Sequence, residues 1–251
     1  MTLIKTDNEI AKLREQGKVL GTILQQVAAR VRPGITTAEL NEQVEKLIVA
    51  AGGRPAFKGY GSPVPFPAGL CASVNEEIVH GIPGKRALVR GDIISLDIGM
   101  EKDGLYTDTA ITVPVGEVTI ATQRLLNITA EALTAGIAAC VAGNTIGDIG
   151  AAVQAIVKRD KMSVVRDLVG HGVGHAVHEE PSVPNQGRSG QGMLLEPGMV
   201  LAVEPMVALG RGEIDYLDDD WTIVTADGSL SAHFEHTIAI TNGQPIIITA
   251  P

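Results

Sequence analysis

The chain has 251 residues, with 20 Lys+Arg against 29 Asp+Glu and a formal net charge of −9. At 45% hydrophobic and 20% charged residues it has the composition of a folded protein rather than a disordered one. The acidic balance and the 3% aromatic content exclude a general nucleic-acid or anionic-membrane surface, and two cysteines, Cys71 and Cys140, exclude a disulfide scaffold. No apolar run approaches the ~18 residues of a membrane span. The opening stretch MTLIKTDNE has no signal-peptide pattern. The expectation is a cytoplasmic protein forming one catalytic domain over 1–251.

In chain order, residues 8–31 read as a helix. A Gly-containing turn follows, and then a second amphipathic helix with Thr36 or Thr37 as N-cap and Leu40, Val44, Leu47 and Ile48 at helical spacing. Residues 93–99 alternate Ile94, Leu96 and Ile98 with Ser95, Asp97 and Gly99, the period of a strand. Asp103-Gly104 is a hairpin turn signal. With those two residues as the turn, Lys102 pairs with Leu105 and Asp97 with Ala110. Asp108 then shares a face with Asp97 as a diagonal neighbour about 7–8 Å away.

The second part of the chain echoes the first. Residues 121–141 read as a helix, and 140–157 repeat the turn and amphipathic helix. Gly34 aligns with Gly143, Thr36 with Thr145, Leu40 with Ile149, Val44 with Val153 and Ile48 with Val157. GDIISLD at 91–97 resembles GMVLAVE at 198–204, which places Asp97 on Glu204; TDTAI at 107–111 resembles FEHTI at 234–238, which places Asp108 on Glu235. The expectation is an internal pseudo-repeat over about 8–113 and 121–240.

Four carboxylates set in apolar strand patterns need a compensating charge. Near them lies GHGVGHAVHEEP at 170–181. Its glycines disfavour a helix, so His171, His175 and His178 do not form a helical zinc site, and the H-E-x-x-H pattern is absent. Read as an extended segment, it sends His171 and His178 to different sides. One of the three histidines is expected to join the acids. Such an oxygen-rich set suits Mn²⁺, Fe²⁺ or Co²⁺ better than structural zinc, and the natural reaction class is metal-assisted hydrolysis.

VNEEIVHGIP (74–83), DIISLDIG (92–99), DGLYTDTA (103–110), GHGVGHAVHEEP (170–181), LEPGMVLAVEPM (195–206) and LSAHFEHT (230–237) together resemble the methionine aminopeptidases of the bacterial type I form, in order and over nearly the whole chain. The resemblance implies an α+β "pita-bread" fold: two pseudo-symmetric halves with a central antiparallel sheet around a dinuclear metal site. It implies Asp97, Asp108, His171, Glu204 and Glu235 as ligands of two divalent ions, with Asp108 and Glu235 bridging. It implies Glu204 as proton shuttle and His80 and His178 as substrate-contacting histidines. Cys71 and Trp221 match pocket positions; Tyr60 and Phe66 match less well, because the segment PVPFP at 63–67 departs in length.

The implied substrate is the initiator methionine of nascent chains with a small second residue. The family also implies a monomer that meets those chains at the ribosome, without stable nucleic-acid binding or membrane association. His233 stands where the family commonly has Gln, and Val177 where an aromatic is frequent. Residues 213–220, EIDYLDDD, form an acidic loop unsuited to docking on RNA. The alternatives are a proline-directed peptidase of the same fold, like aminopeptidase P or prolidase, and a non-catalytic binding protein on that fold.

Overall fold

A computed structural model describes residues 3–251. Among these residues there are four helices: α1 (Asp7–Ala28), α2 (Thr37–Ala50), α3 (Ile120–Ala139) and α4 (Ile146–Arg159). The strands are β1 (Arg54–Pro55), β2 (Leu70–Val74), β3 (Glu77–Val79), β4 (Ile93–Lys102), β5 (Leu105–Pro114), β6 (Ser163–Val164), β7 (Val169–Gly172), β8 (Glu179–Pro184), β9 (Val200–Val203), β10 (Met206–Ala208), β11 (Ile214–Tyr216), β12 (Ile223–Thr225), β13 (Ser231–His233), β14 (Glu235–Ala239) and β15 (Ile246–Ile247). Each helix pair precedes a set of strands, so the chain builds helices and then sheet twice.

Every helix starts on a threonine: Thr6, Thr36, Thr119 and Thr145. Thr36 rather than Thr37 is the cap of α2. Its hydroxyl accepts from Glu39 N–H while the Glu39 carboxylate accepts from Thr36 N–H, so two otherwise orphaned donors are satisfied reciprocally. Thr6 with Glu9 caps α1 in the same way. The first helix ends at Ala28 and the third at Ala139, a few residues short of the pattern's reach, as is usual for helix ends.

The main sheet has nine strands, all antiparallel, in the order β1-β4-β5-β14-β9-β7-β8, with β2 also paired to β4 and β15 to β14. Its centre joins the two halves, because β5 pairs with β14. One face is apolar. Ile94, Leu96 and Ile98 pack under Leu20, Leu24, Leu40, Val44 and Ile48 of α1 and α2. Leu201, Val203 and Ile238 pack under Leu133, Ile146 and Ile149 of α3 and α4. Burying these side chains is worth about 1.5–3 kcal/mol each before the entropy cost of ordering them. The helices cover that face and leave the opposite one for the site.

The hairpin register is as the Asp-Gly signal predicts. Asp103 and Gly104 both take positive φ (53° and 78°), Lys102 pairs with Leu105 and Asp97 pairs with Ala110. One expectation needs correction. Residues 170–181 are not one extended segment: β7 and β8 are separate strands that pair with each other, joined by an irregular turn. The stretch 232–240 is two strands in different sheets, β13 and β14, broken at Phe234. The chain makes the same switch of sheets at Glu204-Pro205, between β9 and β10. Proline cannot donate to a ladder, so it ends the pairing there.

Candidate active site

Strand register alone gathers the polar residues. Asp97 faces Ala110, and Ala110 faces Glu235. His236 faces Val203, so the same register sets Glu204 beside Glu235. One row along, Asp108 faces Gly99, and Ala202 faces both Thr237 and His171. Side chains alternate faces along a strand, so Asp97, Asp108, Glu235, Glu204 and His171 all lie on the face away from the helices. They come from five consecutive neighbours, β4, β5, β14, the end of β9, and β7. The residues between them are small (Ala110, Gly99, Ala202 and Thr237), which leaves room above the sheet.

Hydrogen bonds lock this register. The Asp108 N–H donates to Thr237 Oγ1 (3.0 Å) and the Thr237 hydroxyl donates to the Asp108 carbonyl (2.8 Å). The Thr109 hydroxyl donates to the Glu235 carbonyl at 2.9 Å, and Asn185 Nδ2 donates to the Glu204 carbonyl at 2.9 Å. Gly172 permits the close approach of β8 to β7, since a Cβ there would strike the Glu180 carbonyl.

The electrostatics are those of a cation site. Asp108 is 3% exposed and Glu235 2%. Among the described residues, Asp97 Oδ1, Asp108 Oδ1 and Glu235 Oε1 are buried without a hydrogen-bond partner. Burial pushes Asp97 up to about 7, helped by Glu204 and opposed by His233. Burial, then Asp97 and Glu204, raises Asp108 well above the carboxylate range; burial, then Asp108 and Glu204, does the same to Glu235. Three orphaned carboxylate oxygens are costly unless positive charge lies between them. Asp108, His171 and Glu235 each place a ligand atom within 4.8 Å of the others. The donor set, four carboxylates and an imidazole, therefore fits divalent cations.

Glu204 behaves differently. Burial acts to raise it, but His233 and His171 outweigh burial and hold it below its ordinary value. His171 Nε2 lies 3.4 Å from Glu204 Oε1 and His233 Nε2 3.3 Å from Oε2. His233 is thus a buried partner of Glu204, with its own pKa raised: burial lowers it, and Glu204 more than compensates.

The same cavity, of about 300 Å³, is lined by Cys71, Trp221, Tyr60, Phe66, His80 and His178 together with the five donors. The ligand, substrate-contact and pocket residues expected from the sequence all line it, whereas His175, Val177 and His233 do not. His171 and His178 do not point to different sides: the β7–β8 connection turns back and brings their rings edge to face at 4.4 Å. Burial lowers His80 and, with the repulsion of His171, lowers His178 to about 4, so both rings are neutral at neutral pH. His80 sits at φ 59°, a left-handed conformation uncommon outside glycine, and lies edge-on to Trp221 at 5.9 Å.

Sequence reasoning missed Phe57, Val79, Leu168 and Met206 in the lining. Phe57 is buried in one cluster with Phe66, Cys71 and Val177. It supplies aromatic bulk beside the valine at 177. No local signal marks it, because β1 is two residues long and its neighbours are irregular.

Residues 11–242 match the model of metallopeptidase family M24. The chain is 47% identical over 250 residues to a methionine aminopeptidase of Clostridium perfringens, covering 99% of both chains. Its structure superposes on a methionine aminopeptidase from Thermotoga maritima with TM-score 0.96 and 41% identity, over 99% of each chain. It also resembles the prolidase of Pyrococcus furiosus (TM-score 0.78), but at 21% identity and over 65% of that chain, which shows the common fold alone. The architecture is the pita-bread fold of two pseudo-symmetric αβ halves. No helix among the described residues is long and apolar enough to cross a membrane. With five donor side chains on one sheet face and full-length similarity of this degree, the chain belongs to the M24 metallopeptidases and, within them, to the methionine aminopeptidases of the bacterial type I form.

Proposed function

We propose that this protein is a metal-dependent aminopeptidase that removes the N-terminal methionine of polypeptides, preferring a small second residue. One observation carries the reading: Asp97, Asp108, His171, Glu204 and Glu235 converge on one wall of a cavity whose other walls, Phe57, Phe66, Cys71 and Trp221, are apolar. A slender apolar pocket suits a flexible thioether side chain. The five donors would hold two divalent ions of the Mn²⁺, Fe²⁺ or Co²⁺ type. When bound, such ions polarise a carbonyl and make water acidic enough to attack near neutral pH.

The chain's own residues do the rest. Water adds to the carbonyl carbon of the methionine residue. Glu204, held ionised by His233 and His171, takes the water's proton and delivers it to the departing amide nitrogen. The C–N bond breaks, giving free methionine and a chain with a new amino terminus. His178, as a neutral ring, donates to the carbonyl oxygen while negative charge develops there. His80, also neutral, contacts the amide nitrogen of the second residue.

The finer reading is of a cytoplasmic monomer acting on nascent chains at the ribosome. The exposed stretch 215–220 is acidic, which argues against an RNA dock on that hairpin.

A panel of Met-Ala, Met-Leu and Ala-Pro peptides, assayed with each defined metal, tests the proposal. Free methionine should come from Met-Ala peptides and little from Met-Leu. Cleavage of Ala-Pro instead would favour the proline-directed alternative. No turnover with any metal, and no bound ion after purification without chelator, would favour a non-catalytic protein.

A further inference from the structure

The stretch 57–67, which contains the proline-rich segment, forms a stapled loop over the cavity. Tyr60 N–H donates to the Phe57 carbonyl (2.9 Å), and Phe66 N–H donates to the Tyr60 carbonyl (2.8 Å). Trp221 Nε1 donates to the Val64 carbonyl (3.1 Å), and the Phe66 and Trp221 rings meet edge to face at 5.2 Å. The loop therefore holds Tyr60 in place although its side chain is partly exposed. From there the Tyr60 hydroxyl reaches His178 Nδ1 at 2.8 Å, with ring centroids 5.0 Å apart at 67°.

We propose that Tyr60 is a positioning residue that donates its hydroxyl proton to His178 Nδ1 and so fixes the histidine proton on Nε2. The proposal rests on the aminopeptidase reading above, in which His178 is a donor. A neutral imidazole has one N–H, and the nitrogen that accepts a hydrogen bond cannot also carry the proton. The phenol can donate or accept, so the surroundings decide the direction. Were Nδ1 protonated, Nε2 would turn a lone pair toward the substrate carbonyl and could donate nothing to its oxygen. In the aminopeptidase reading that nitrogen donates, so the hydroxyl donates to Nδ1, and Nε2 carries the proton that the developing oxyanion needs. The ring itself is held by packing, with His171 at 4.4 Å on one side and Tyr60 on the other. Removing the hydroxyl alone would thus free the tautomer without freeing the ring.

The test uses full-length protein labelled with ¹⁵N-histidine, with Zn²⁺ as a diamagnetic ion, and the variants Tyr60→Phe and His178→Gln, the latter to assign the signal. Long-range ¹H–¹⁵N correlation should show an unprotonated Nδ1 and a protonated Nε2 for His178 in the parent protein, and mixed tautomers in Tyr60→Phe. In the same variant kcat on a Met-Ala peptide should fall roughly three- to tenfold, the worth of one net hydrogen bond, with KM and melting temperature unchanged. A parent spectrum with Nδ1 protonated overturns the proposal whatever the variant does. So does a Tyr60→Phe protein with the parent tautomer and kcat. Full kcat in His178→Gln would instead remove the role of His178, leaving the spectroscopic result to stand or fall separately.

Discussion

His233 and Glu204 form a buried pair, with Nε2 3.3 Å from Oε2, on the side of the carboxylate away from His171. They stand where the chain switches sheets, His233 ending β13 and Glu204 following β9. The pair keeps one carboxylate of the site ionised while its neighbours are pushed up. Replacing His233 with Leu removes a positive partner, so the Glu204 pKa should rise and the acid limb of kcat/KM should move to higher pH. His233→Gln, which keeps a hydrogen-bond donor, should move it less. Superimposable acid limbs in all three proteins would show that His233 does not tune Glu204.

The metal-free protein should lose stability as pH rises. Asp97 titrates near 3.8 when unfolded and about 7 when folded; Asp108 and Glu235 are raised in the same direction. Between about pH 4 and 7 the folded state holds protons that the unfolded chain has released, so stability falls with increasing pH across that window. A divalent ion bound only by the folded state reverses the penalty. Melting curves at pH 5 and 8, with EDTA and then with Mn²⁺, should show the larger Mn²⁺-induced rise at pH 8. Equal rises at both pH values would contradict this.

Lys5 and Glu179 should prove a structural latch. Their charged groups are 2.8 Å apart, with side chains 1% and 8% exposed. Glu179 also accepts from His175 N–H at 2.9 Å, and His175 Nε2 lies 2.8 Å from Glu9, so the chain start is tied to the turn beside His178. Lys5→Met strands a buried carboxylate and should cost about 3–5 kcal/mol, whereas Lys5→Met with Glu179→Gln should recover most of the loss. Urea unfolding of both variants checks it; no recovery in the double variant would mean the loss lies in packing rather than charge.

Phe57→Ala should open the methionine pocket. The ring is buried against Phe66, Cys71 and Val177 and lines the cavity, away from the proton-transferring groups. KM for a Met-Ala peptide should rise about tenfold or more with kcat changed less, the signature of lost ground-state binding. A bulkier first residue, such as phenylalanine, should become a better substrate relative to methionine. An unchanged ratio of the two substrates would place Phe57 outside the specificity wall.

Parts of the site were readable locally. Asp103-Gly104 implies the turn, the turn implies the Asp97–Ala110 pairing, and that pairing puts Asp108 on the face of Asp97. The threonine caps were equally local, since a cap involves residues three positions apart. The misreading of His171 and His178 had a local cause as well: their odd spacing implies opposite faces only while the strand continues. A turn between β7 and β8, with Gly174 at φ 138°, cancels that parity.

Phe57, the Tyr60–His178 contact and the Lys5–Glu179 pair were invisible for a different reason. Each acts through a contact with a segment far along the chain, and nothing in the surrounding residues specifies that partner.

By itself the sequence determined which residues could bear charge or bind a cation, that Asp97 and Asp108 share one face of the central hairpin, and, to within a few residues, where the helices lie. Those are consequences of side-chain chemistry and of backbone periodicity over a few residues. Tertiary structure alone decided that β5 pairs with β14 and β7 with β9, and so that donors from both halves share one wall. Strand alternation tells a side chain its face but not its neighbour. The neighbour is chosen when the helix pairs bury the opposite face, because only that arrangement removes the apolar surface of both halves from water.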